Sequence, residues 1–106
     1  MTACMIYATA SGPEEARTLA KTLLSERLIA CANIIDGATS MYRWNGQVEM
    51  DEESILVLKT SRARRDAALA RLAELHSYDT PCAVAYDMAG GLPPYLSWIA
   101  EETAPA

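Results

Sequence analysis

Residues 3–10 set Cys4, Ile6 and Ala8, apolar at every position, against Met5, Tyr7 and Thr9. This two-residue period predicts a strand covered on at least one face. After Ser11-Gly12-Pro13-Glu14-Glu15 the period lengthens, and Ala16, Leu19, Ala20, Leu23 and Leu24 recur at helical spacing. Proline in the first turn and acids at the positive end of the dipole predict a helix that ends near Arg27-Leu28. Alternation returns from Cys31 through Asn33-Ile34-Ile35, pauses at Asp36-Gly37, and resumes with Ala38, Ser40, Tyr42 and Trp44 against Thr39, Met41 and Arg43. Asn45-Gly46 then supplies the favoured pair for a two-residue type I′ turn, since both residues tolerate positive φ. The return strand is expected over Gln47–Lys59. Its first half is acidic at Glu49, Asp51, Glu52 and Glu53, and its second half is Ile55-Leu56-Val57-Leu58, so the two halves belong in different environments. Thr60-Ser61 can cap a second helix whose Ala68, Leu69, Leu72, Ala73 and His76 are in phase. Tyr78-Asp79-Thr80-Pro81 breaks that helix, Cys82–Met88 alternates as a last strand, and Gly90-Gly91 turns into a short helix over Pro93–Ile99.

The order is therefore βαββαβ plus a terminal helix. Two right-handed crossovers joined by a hairpin give a four-stranded antiparallel sheet with both helices on one face, a ferredoxin-like α+β sandwich formed by residues 1–106 as a single domain. The hairpin does not fit inside it. A return arm over Gln47–Lys59 spans ~40 Å, whereas a helix of about 15 residues reaches only ~22 Å. An overhanging arm that carries Met41, Tyr42, Trp44, Val48 and Met50 would be an aggregation hazard unless it is covered, and these five residues are the expected subunit interface. The helix-free face of the sheet needs cover too. Both requirements point to a closed homo-oligomer, and a threefold ring suits an arm that reaches from each copy to the next.

Composition narrows the function classes. The chain has 106 residues, 14 Asp or Glu against 9 Lys or Arg, and a formal charge of -5. A core of two layers is feasible at this length without metals or disulfides. An acidic chain is a poor ligand for phosphate backbones, so no nucleic-acid partner is expected. The longest apolar run is far short of the ~20 residues that span a bilayer, and no membrane association is expected. The first residues lack a positive leader, which predicts a cytoplasmic chain. Three cysteines, Cys4, Cys31 and Cys82, match no zinc or CxxC spacing and are expected as free thiols.

Few residues offer chemistry. Lys59 and Arg62, with Arg64 and Arg65, gather at the start of the second helix, where cations are disfavoured unless an anion shares the site. They are the candidate anion-binding residues, the alternative being that they extend into solvent. Asp51-Glu52-Glu53 is expected as a solvated stretch, because neighbouring strand residues point to opposite faces and cannot converge on one cation. Cys31 and His76 suggest a thiolate–imidazole pair, but the topology keeps them apart within one protomer, and Cys31 is expected as a small buried residue. His76 can also cap its helix. No nucleophile–base–orienter set stands at plausible positions, so no enzymatic reaction is assigned.

Five segments in order resemble the CutA divalent-ion tolerance family: Leu28-Ile29-Ala30-Cys31-Ala32-Asn33-Ile34, Ser40-Met41-Tyr42-Arg43-Trp44-Asn45-Gly46, Leu58-Lys59-Thr60, His76-Ser77-Tyr78-Asp79-Thr80-Pro81 and Tyr95-Leu96-Ser97-Trp98-Ile99. The resemblance covers nearly the whole chain. It implies a ferredoxin-like protomer, a homotrimer built through extended hairpins and similar to PII-type signalling trimers, and a role in copper or divalent-cation tolerance. It also implies copper ligands from a first-strand cysteine and two adjacent histidines that end the second helix. Those positions fall on Ala8, Leu75 and His76 here, so only His76 remains as a metal ligand, with Asp79 and Cys82 close in sequence. Ser77 and Cys82 replace the family's usual proline and glutamate. The expected function is thus a non-enzymatic homotrimer that serves divalent-cation tolerance with weak or no direct binding of Cu(II) or another divalent cation. The alternative is a PII-like signalling trimer that binds a small anionic metabolite or nucleotide between subunits.

Overall fold

The structure, a computed structural model, describes residues 3–105. Met1, Thr2 and Ala106 lie outside the described residues, and so does the leader reading of the first two. The elements are β1 (Ala3–Ala10), α1 (Pro13–Ser25), β2 (Cys31–Trp44), β3 (Gln47–Ser61), α2 (Arg62–Leu75), β4 (Ala83–Asp87) and α3 (Pro93–Glu102). Their sheet order is β2-β3-β1-β4, with every neighbouring pair antiparallel. This is the ferredoxin-like sandwich that the element order predicts.

The core follows from the strand period. Ile6 and Ala8 of β1 and Leu56 and Leu58 of β3 are fully buried, and each row points at the helices. From α1 they meet Ala16, Leu19, Ala20 and Leu23, and from α2 Ala68 and Leu72. Complete burial of each large aliphatic side chain contributes roughly 1.5–3 kcal/mol, so this cluster holds the two layers together. Leu24, expected on the inner face of α1, is 40% exposed at its margin, and Ala73 of α2 is exposed while Leu75 packs against the cluster.

One expected device is absent. β3 continues to Ser61, which precedes α2 without a side-chain cap. Thr60 is buried and its hydroxyl donates to the Leu28 carbonyl at 2.7 Å, so the strand alternation that turns Thr60 inward takes it from the helix terminus.

The hairpin does project. Pairing runs without interruption from Ala38↔Glu53 to Trp44↔Gln47, and Asn45 and Gly46 have φ of 50° and 77°, as a type I′ turn requires. The long axis of the molecule is 44 Å against 26 and 21 Å for the others. The radius of gyration, 14.3 Å, exceeds the ~13 Å of a compact chain of this length. At the arm's root, between the pairs Ile35↔Ile55 and Ala38↔Glu53, β2 holds one residue more than β3. Gly37 lies in this bulge at φ 77°, a conformation that glycine adopts without a Cβ clash.

Candidate functional site

Beyond its root the hairpin has two unlike faces, because residues paired across antiparallel strands share a side. Tyr42 with Glu49, Trp44 with Gln47 and Ser40 with Asp51 lie on the face continuous with the helix-free side of the sheet. Met41 with Met50 and Arg43 with Val48 lie on the other. All five apolar residues singled out from the sequence are exposed: Met41, Val48 and Met50 by about two-thirds, Trp44 by 53% and Tyr42 by 42%. The helix-free sheet face adds Ile35, Val84 and Tyr86, each about half exposed. The sequence placed Val84 and Tyr86 on a strand, but alternation alone does not say which of two rows faces the helices.

The arm is stiffened at its acidic edge. The Tyr42 hydroxyl donates to the Asp51 carboxylate, and this bond pushes its pKa up to about 12. Asp51 and Glu52 are exposed as expected, but Glu53 departs from the solvated reading: it is 8% exposed and accepts the Tyr78 hydroxyl at 2.8 Å. Burial and the neighbouring Glu53 carboxylate drive the Tyr78 hydroxyl pKa up.

Tyr78 leads from the root of the arm to His76. The His76 side chain is buried, and Nδ1 accepts the Tyr78 backbone N–H at 3.1 Å. The proton therefore sits on Nε2, which donates to the Thr9 carbonyl at 2.8 Å. Glu15 completes the cluster: its carboxylate accepts the Ser11 and Ser77 backbone N–H groups at 3.0 and 2.8 Å and lies 3.8 Å from Nδ1. Burial works to raise its pKa, but these bonds outweigh burial and hold it at about 2. The sequence singled out His76 alone. In the sequence Glu15 is only a first-turn acid, and nothing in its local spacing shows that α1 begins against the end of α2.

The other candidates are spread out. Cys31 is level with Met5 and Lys59, near the start of β1, whereas His76 reaches Thr9 near its end, so the two do not meet. Cys31 is not the fully buried residue expected. It is partly exposed, and its sulfur lies 3.3 Å from the Tyr95 hydroxyl on α3, whose pKa this bond pushes up to about 12. Lys59 extends from the helix-free face to the Asn33 side-chain carbonyl, whereas Arg62 pairs with Asp87 at 2.8 Å on the helix side. The protomer thus gives each cation its own partner and does not bring the two together. The three cysteines are free, with Cys82 exposed and Cys4 buried, and burial raises the Cys4 thiol pKa. Among the described residues no group of three or more His, Cys, Asp or Glu side chains could hold a metal ion. None of their helices is long and apolar enough to cross a membrane.

Comparison with known proteins agrees with this architecture. A family model described as CutA1 divalent ion tolerance protein matches residues 4–102. The divalent-cation tolerance protein CutA of Thermus thermophilus is 42% identical over 93% of the chain and 96% of that protein. The chloroplastic protein CutA 1 of rice is 36% identical over 93% of the chain, which spans only 56% of that longer relative. The crystal structure of CutA from Xylella fastidiosa, 38% identical, superposes with a TM-score of 0.96 over 98% of this chain and 100% of its own.

Proposed function

The chain belongs to the CutA1 divalent ion tolerance family, and from that premise we propose that it works as a cytoplasmic homotrimer in divalent-cation tolerance, without catalysing a reaction. One observation carries the assembly: the projecting hairpin exposes large apolar side chains on both faces, Tyr42 and Trp44 on one and Met41, Val48 and Met50 on the other. A single flat partner would cover only one of them. A ring in which each arm lies between two neighbours covers both, and it also reaches the helix-free sheet face with Val84 and Tyr86. Sedimentation should give three times the chain mass at micromolar concentration. A stable, folded monomer would overturn the assembly.

Direct contact with copper is weak in this reading, because both His76 ring nitrogens already serve backbone groups and a ligand role would cost those bonds. Calorimetric titration of the reduced protein with Cu(II) should show at most a low-affinity site that His76→Ala abolishes. Identical titrations of the two proteins would remove His76 from any metal site. The alternative of an anion-sensing trimer has less support, since Lys59 and Arg62 project to opposite sides of the sheet and each is partnered.

A further inference from the structure

We infer that Arg27 and Arg64 form a clamp on the backbone carbonyls at and just beyond the C-terminal end of α3, which holds that helix as a detachable cover over the Cys31 thiol and the small apolar cluster beside it. The attachment of α3 is narrow. Ile99 is its one fully buried apolar side chain, and it packs in a cluster with Ala3 and Ala30, flanked by Met88 and Leu96, that is separate from the main core. Against that small area stand three charge-assisted hydrogen bonds. Arg27 Nε donates to the Ala104 carbonyl at 2.9 Å and Nη2 to the Glu101 carbonyl at 3.1 Å. Arg64 Nε donates to the Thr103 carbonyl at 2.9 Å. These oxygens sit at the negative end of α3, where a cation is favoured and helix carbonyls otherwise lack partners.

The backbone at Arg27 is a second, independent observation. Arg27 follows α1 in the left-handed region, at φ 59°, while its amide donates to the Leu24 carbonyl. Glycine is the residue that fits such a helix terminus without a Cβ clash. Glycine there would relieve the strain but could not reach α3, so the strained conformation holds the guanidinium in place. At the other end of the cover, Tyr95 stacks on Trp98 at 5.7 Å and sets its hydroxyl against the Cys31 sulfur. Release of α3 would withdraw that hydroxyl and open the thiol without disturbing the sheet.

The three cysteines supply the readout. In the assembled protein treated with iodoacetamide and mapped by peptide mass, exposed Cys82 reports the reagent, buried Cys4 reports global unfolding, and Cys31 reports the cover. Arg27→Gly combined with Arg64→Ala should speed Cys31 alkylation about tenfold, since charged hydrogen bonds to a helix end are lost, with the Cys4 rate unchanged. Arg27→Gly alone removes two of the three bonds together with the backbone strain, so Cys31 should speed up while the melting temperature does not fall. An unchanged Cys31 rate in the double variant would overturn the clamp. Parallel acceleration of Cys4 and Cys31 would overturn it as well, because α3 would then open only with the whole domain.

Discussion

β3 passes through two environments along one unbroken strand. From Ser54 to Thr60 its even residues are completely buried beneath the helices, and from Gln47 to Glu52 every residue is exposed. β2 accompanies β3 past the bulge to the turn, but β1 pairs only with Ser54–Ser61. The first half is therefore bonded on both edges and the second on one. Side-chain cover differs as well: α1 and α2 cover the first half, and among the described residues no element of the same protomer covers the second.

Substitution can break this contrast at its strongest point. Leu58→Ala, on the covered half, should cost about 3 kcal/mol in urea denaturation by leaving a cavity between sheet and helices. Met50→Ala, on the bare half, removes a side chain that is 65% exposed. It should leave no such cavity, and its effect should appear in association, as dissociation of the trimer at a higher concentration than wild type in sedimentation.

The junction of the two halves gives the next effect. Glu15 is held at about 2 in the folded protein and has an ordinary value of 4.5 unfolded, a depressed carboxylate. The folded state then binds fewer protons than the unfolded state in this range, so the stabilisation is complete above about pH 5 and fades as pH falls toward 2. Glu15→Gln should lower stability at pH 7 by about 2 kcal/mol and flatten the acid limb of the urea midpoint against pH. An unaltered acid limb would remove Glu15 from the bracing of the junction.

The smallest effect belongs to the tip. Gly46 has φ 77° with open space where a Cβ would lie, so Gly46→Ala pays only the left-handed backbone term. It should cost about 1 kcal/mol, read as a small drop in melting temperature with the sheet spectrum unchanged.

Much of this contrast was legible in the sequence. The Asn45-Gly46 pair fixed the turn, the arm length set against helix length exposed the overhang, and the switch from acids to Ile55-Leu56-Val57-Leu58 marked the two environments of β3. The hydrogen-bonded junction was not legible. Glu15, Glu53 and the pair His76 and Tyr78 come from three separate segments, and each taken alone reads as a surface residue or a helix end. Only tertiary closure gives them one location. The role of Thr60 was misplaced for a related reason: its residue type suits a helix cap, but the parity of β3 turns it inward. Arg27 and Arg64 likewise look like solvated surface charge until the C-terminal helix folds back on them.

The extra residue of β2 at Asp36-Gly37 sets the identity of everything beyond it. Before the bulge the odd-numbered side chains of β2, Cys31, Asn33 and Ile35, share the side turned away from α1 and α2, and after it the even-numbered Ser40, Tyr42 and Trp44 do so. Remove that one residue and the phase inverts: the aromatic pair would swing to the opposite surface of the ribbon, and Met41 would take its place. A single glycine thus acts as a keying notch, deciding which chemistry each side of the ribbon offers to whatever it meets.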